Sequence, residues 1–146
     1  MKISDTHYKK KILHHVRLKT GDYYFFKNFI VSEVHEGVQF DWAAGEELLY
    51  HVYEFYGGSV RVGYISNRIN SYNVVPRDWL KFYKEHGEGV LCTAIISYNG
   101  ISVKNFLLEK IFMAGKVKHF DNLTSAIEWV KEKKKKSTKK ISYSNR

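Results

Sequence analysis

The chain has one cysteine and one proline in 146 residues. A single thiol cannot close an intrachain disulfide, so stability has to come from a packed core, which a chain of this length can build as one domain. Cys92 sits in the apolar run 90–96 and reads as a small buried hydrophobe in a reducing compartment. No run of about 18 apolar residues occurs, so no segment is long enough to cross a bilayer as a helix. The first residues have no apolar stretch of the kind a secretory leader carries, and a cytoplasmic location is expected. There is no Gly-x-Ser-x-Gly elbow, no phosphate loop and no dinucleotide fingerprint; the glycines at 57–58 and at 87 and 89 are turn glycines.

Metal chemistry lacks its spacing. His14 and His15 are adjacent and would face opposite sides of a strand, while His35, His51, His86 and His119 fall on four different elements. No pair has the helical spacing of a zinc site and Cys92 has no second thiolate beside it, so no metal and no cofactor is expected.

Positive charge is abundant but unevenly placed. The net charge is +9. Residues 131–146 hold eight basic groups and one acid, and residues 1–11 hold four basic groups and one acid. The body between them holds twelve basic and thirteen acidic groups and is nearly neutral. A compact nucleic-acid reader carries its charge on a folded face; here the net positive charge sits in the two ends, which argues against nucleic acid as a partner. Residues 1–11 read as a flexible basic N-terminus, 12–132 as the folded domain, and 133–146 as a lysine-rich tail disordered by its own repulsion.

What remains is strong periodicity. Alternation over 15–19, then aromatic and β-branched runs over 23–26 and 29–35, predict strands, with a turn at Thr20-Gly21-Asp22. Glu36-Gly37 predicts a hairpin turn into a fourth strand over 38–42. The period then changes: Ala44, Leu48, Val52 and Phe55 mark one face of a helix, with Asp41 as its N-cap and Gly57-Gly58 as its stop. A strand over 60–66 follows, then a helix over 76–86 opened by Pro76, with Trp79, Leu80 and Tyr83 on one face. The continuous apolar run over 90–98 predicts a strand covered on both faces. A helix over 102–114 and a short strand over 116–120 come next. Asn122-Leu123-Thr124-Ser125 then caps a last helix, whose buried stripe is Leu123, Ala126, Ile127 and Val130. The fold class is therefore α/β: antiparallel N-terminal strands, then alternating strands and helices in a mixed, mostly parallel sheet packed by four helices.

Between the strand over 60–66 and Pro76 lies the polar cluster Ser66, Asn67, Arg68, Asn70, Ser71 and Tyr72. Ligands in open α/β sheets bind beyond the carboxyl ends of strands, and helix N-termini favour anions. This loop, with Ser97 and Asn99 at the next strand end, is the expected recognition surface. Arg68 would be a bidentate donor, Asn67, Asn70 and Ser71 neutral donors, and Tyr72 an anchor. The same residues also serve as ordinary turn formers.

The strings 30–38, 64–72 and 120–129, in this order of elements, resemble the STAS domain (sulfate transporter and anti-sigma-factor antagonist) over about residues 15–132, and in particular its bacterial SpoIIAA-like branch, which is grouped with CRAL-TRIO lipid-binding domains. In antagonist members of that family the loop before the second helix carries Asp-Ser-Ser-Gly with a phosphorylated Ser. The matching positions here are Asn70-Ser71-Tyr72-Asn73, which lack the Asp, the second Ser and the Gly.

The resemblance implies a non-enzymatic regulatory or protein-interaction module that uses the 66–75 loop. An apolar-ligand or lipid-binding domain is the alternative, given the family grouping and the eleven Tyr and nine Phe. It requires a concave apolar pocket of roughly 300 Å³ or more for a drug-sized ligand. Catalysis comes third, and no catalytic residue is assigned. Ser66, Ser71 and Ser97 lack a base in the sequence pattern, and a histidine brought within reach of one of them would revive nucleophilic chemistry. Exposed strand edges and surface aromatics leave a homodimer open.

Overall fold

The computed structural model describes residues 1–98 and 117–144, with side chains to residue 137. The helix expected over 102–114 lies outside the described residues, as do Asn99, Gly100, Gly115 and Lys116.

In chain order the strands are β1 (His14–Leu18), β2 (Gly21–Phe25), β3 (Phe29–Val34), β4 (Gln39–Phe40), β5 (Val62–Arg68), β6 (Asn73–Val74), β7 (Val90–Ser97) and β8 (Val117–Phe120). The described helices are α1 (Trp42–Tyr56), α2 (Pro76–His86) and α3 (Leu123–Ser144). Six strands form one sheet in the order β1-β2-β3-β5-β7-β8. The first three run antiparallel and the pairs β3/β5, β5/β7 and β7/β8 are parallel.

The fourth strand departs from expectation. It is two residues long, leaves the main sheet and pairs parallel with β6, Gln39 opposite Asn73 and Phe40 opposite Val74. Asp41 stops it early, because its carboxylate accepts the Ala44 N–H at 3.0 Å and starts α1. Gly57, at φ 91°, closes α1 in a conformation that glycine adopts without strain.

The two sheet faces are filled differently. On one face Leu123, Ala126, Ile127 and Val130 of α3 pack on Val31, Ile65, Cys92, Ala94 and Ile96. Burying one such aliphatic side chain contributes about 1.5–3 kcal/mol, so this stripe anchors the helix. Gly63 makes the approach possible: a Cβ there would overlap the Val130 Cγ1 methyl. Helix α3 outlasts its stripe and continues through the lysine run to Ser144. Repulsion among these lysines favours unravelling. It is opposed by the high helix propensity of lysine, by the Glu132–Lys136 pair at 3.3 Å, and by Lys134 Nζ donating to the Arg61 carbonyl at 2.9 Å.

The N-terminal residues are also more ordered than their polarity suggests. They form two 3-10 turns, Ile3–Asp5 and His7–Lys11. Ile3 is fully buried and Tyr8 nearly so, both on the α3 side of the core. The opposite face carries α1 and α2 over Ile30, Val62, Tyr23 and Phe25.

Candidate functional site

The polar cluster at the end of β5 is a structural joint. β5 extends to Arg68, so Ser66, Asn67 and Arg68 are strand residues, in register with Ile95, Ile96 and Ser97 of β7. Ser and Asn are turn residues and read as a loop in the sequence; pairing with β7, and for Ser66 with β3 as well, overrides that preference.

Alternation sends Asn67 to the α3 face, where it is 1% exposed. Its amide donates to the Met1 carbonyl and to Glu33 Oε2, both at 2.8 Å, and its carbonyl accepts the Tyr98 hydroxyl at 2.7 Å. Glu33 Oε2 also accepts the Ile3 N–H at 2.8 Å. Burial pushes the Glu33 carboxyl above its ordinary value, against the pull of those two hydrogen bonds. Neither Glu33 nor the chain start stood out in the sequence. The one available signal was an acid inside the apolar run over 29–34.

The other cluster residues are also engaged by the chain itself. Ser66, buried, shares a hydrogen bond with the Tyr72 hydroxyl at 3.0 Å and accepts from Arg68 Nε at 3.1 Å, while the Arg68 guanidinium lies 5.6 Å from the Tyr72 ring centre. Asn70 donates to the Val34 carbonyl at 3.0 Å, and the Ser71 N–H donates to Glu36 at 2.8 Å. Of the group, Ser71 is the one exposed to solvent. Asn99 lies outside the described residues. Ser97, at the end of β7, is buried and hydrogen-bonds His119 Nε2 of β8. A histidine thus does reach one of the three serines, tying two parallel strands together at their carboxyl ends.

An unfilled volume lies on the same face as Ser66 and Ser97, between the sheet and helices α1 and α2. It is an apolar cavity of about 90 Å³. Its floor is Ile30, Val62, Tyr64 and Thr93; Leu48 and Val52 of α1 wall one side, and Trp79 and Phe82 of α2 the other. Helix α2 explains the space. Trp79, Phe82, Tyr83 and His86 recur at helical spacing on its inner side, yet none of its residues is buried. Leu80, grouped with that face in the sequence, points out and is 55% exposed.

The polar atoms near the floor are already bonded. Tyr64 shares a hydrogen bond with Ser32 at 2.7 Å, and Tyr83 with Thr93 at 2.8 Å. Desolvation beneath the helices raises both phenols above their ordinary values, so both stay neutral. At the edge, the Tyr53 hydroxyl of α1 meets His86 Nδ1 of α2 at 2.7 Å, and the His86 and Trp42 rings stack at 6.3 Å. The floor offers aromatic and aliphatic surface, and the charged groups of the lining, Asp41 and Asp78, are acidic, which suits a neutral apolar molecule over an anion.

None of the protein-family models matches the chain, and none of the curated proteins does. Among solved structures it resembles an uncharacterized protein of the DUF3478 family with a SpoIIAA-like fold, from Shewanella loihica PV-4, with a TM-score of 0.53 and 15% identity over 80% of this chain and 90% of that one. The antiparallel entry into a parallel sheet, together with this likeness, establishes that the chain has a SpoIIAA-like α/β fold.

Proposed function

We propose that the chain is a STAS-like binding module whose working site is the apolar cavity beneath α1 and α2, and that its ligand is a small neutral apolar molecule of about one ring. The observation that carries this reading is an amphipathic helix, α2, that turns its aromatic face inward over an apolar cavity of about 90 Å³ and buries none of its residues.

Two magnitudes set the ligand's size. An enclosed empty apolar cavity costs about 24 cal/mol per Å³, so this one, partly open at its edge, costs at most on the order of 2 kcal/mol, still a sizeable fraction of a small domain's stability. A ligand that fills it recovers that term. An engineered protein cavity of about 150 Å³ takes one benzene, whereas drug-sized ligands need roughly 300 Å³ or more. The cavity of about 90 Å³ therefore suits one small ring or a short branched chain, seated with a slight outward shift of α2, and is too small for a whole lipid. Loop 66–75 takes a supporting part in this reading, since its donors are largely bonded to the chain.

The test is a thermal melt with added toluene, cyclohexane or benzoate. Toluene or cyclohexane raises Tm in the wild type, benzoate does not, and Val52→Leu/Val62→Leu, which fills the cavity from its α1 wall and its floor, abolishes the rise. No shift with either hydrocarbon contradicts the reading.

A second reading, acyl transfer at Ser97, has one observation in its favour, the hydrogen bond to His119. A fluorophosphonate probe that labels wild type but not Ser97→Ala supports it; no labelling removes it.

A further inference from the structure

We propose that the fold joins the two basic ends of the chain into one cationic face that binds the phosphate backbone of duplex nucleic acid. In the sequence these ends are separate tails more than a hundred residues apart. In the structure Lys131 Nζ lies 5.6 Å from the centre of the Tyr8 ring, and Tyr8 shares a core with Val130. The 3-10 turn carrying Lys9, Lys10 and Lys11 therefore sits beside the first lysines of the polar half of α3, and all three of these N-terminal lysines are exposed. Lys131 and Lys135 are exposed and four residues apart, on one side of α3. Lys134 reaches the carbonyl of Arg61, itself exposed, and brings a further cation alongside. Across 131–140 Glu132 is the one acid, and it is paired with Lys136.

A run of charge alone is usually a solvated face. Here cations converge from the N-terminus, the β5 entry and α3, while the body of the chain is nearly neutral. A concentrated positive field of this kind suits a dense polyanion.

The residues also discriminate between polyanions. Interfacial helices bind membranes through buried apolar area plus charge. The apolar stripe of α3 is spent on the core, and residues 131–140 include no apolar side chain to insert into a bilayer. They include no aromatic to stack on bases, so contact is with phosphates and is independent of sequence. Duplex nucleic acid presents one charge per roughly 1.7 Å of axis, and the basic stretch of α3, ten residues at about 1.5 Å each, spans several phosphates.

The experiment is fluorescence anisotropy of the full chain with a fluorescein-labelled duplex of about 20 base pairs, from about 50 to 200 mM salt, the range over which phosphate contacts respond steeply. The variants are Lys9→Gln/Lys10→Gln/Lys11→Gln, whose exposed sites leave the thermal melt unchanged, and Lys131→Gln/Lys135→Gln, whose melt is recorded alongside because Lys131 also lies against the Tyr8 ring. Each phosphate contact contributes about 0.9 to the slope of log affinity against log salt. The triple variant should lose up to roughly 2.7 of that slope and the double variant up to about 1.8, with two unrelated duplex sequences bound alike. Three results overturn the proposal: no duplex binding at the lowest salt, wild-type binding by the N-terminal triple variant, or capture by phosphatidylcholine–phosphatidylglycerol vesicles without duplex binding.

Discussion

Single residues carry much of this fold. Gly63 is the clearest case. Its missing side chain lets Val130 of α3 rest on the backbone of β5. Gly63→Ala forces a methyl into an occupied place, and overpacking of this kind typically costs about 1–3 kcal/mol; urea unfolding should show a lower midpoint at constant slope. Glu33 sets a pH dependence. Burial raises its pKa, so the folded state holds the carboxyl proton more tightly than the unfolded chain does. Stability from this group is fully present below the unfolded carboxyl value and declines as pH rises through the higher folded one. Glu33→Gln keeps an oxygen to accept from Ile3 and Asn67 but removes the titration. Unfolding measured across that window should fall with pH in the wild type and be flatter in the variant. Asp22 runs the opposite way: burial pushes its pKa up, but hydrogen bonds to His15 and His35 and their charges outweigh it and hold it below the ordinary value. Its contribution is present above the unfolded value and lost as pH falls through the folded one.

At the scale of elements, α2 differs in kind from α3 and from α1, which buries Ala44, Leu48 and Val52. Helix α3 is bolted to the sheet by four buried apolar residues, whereas α2 rests over a cavity and is tied to α1 through Tyr53 and His86. Amides of α2 should therefore exchange with deuterium well before those of β5 and β7, a difference that mass-resolved exchange reads directly. In α1, Gly45 lines the cavity inside a helix where glycine is a poor choice, and an added Cβ would meet nothing nearer than Phe40 at 3.9 Å. Gly45→Ala should raise stability by roughly 0.5–1 kcal/mol in urea unfolding. Most of these elements were legible in the sequence because their periodicity and caps agree: Asp41, Pro76 and Asn122 start helices where expected, and Asn122 accepts the Ser125 N–H at 2.8 Å. Two features were not. The β4/β6 ribbon is two residues on each side, too short for any pattern to show. The continuation of α3 past Lys131 is joined by contacts with Arg61 and Tyr8 that lie far away in sequence.

For the whole molecule, the difference between the two faces of one sheet is what points to function. The α3 face is closed by Ile3, Tyr8 and the α3 stripe; the other is left partly unfilled under aromatic side chains. The sequence points to the polar residues at the carboxyl ends of the strands, because polarity is what marks a surface in one dimension, whereas the cavity lies toward their amino ends, over Ile30, Val62 and Val90. Ser66 and Asn67 proved to be buried, bonded to Tyr72, Met1 and Glu33. A cavity leaves no such mark: Trp79 and Phe82 at helical spacing read the same whether they fill a core or line a gap. The central claim is that this gap holds a small apolar ligand. Its most direct test is a ¹H–¹⁵N NMR titration with benzene. The account predicts saturable shifts confined to α1, α2 and the central strands β5 and β7, and their loss in Val52→Leu/Val62→Leu. An unchanged spectrum, or shifts centred on α3, would contradict it.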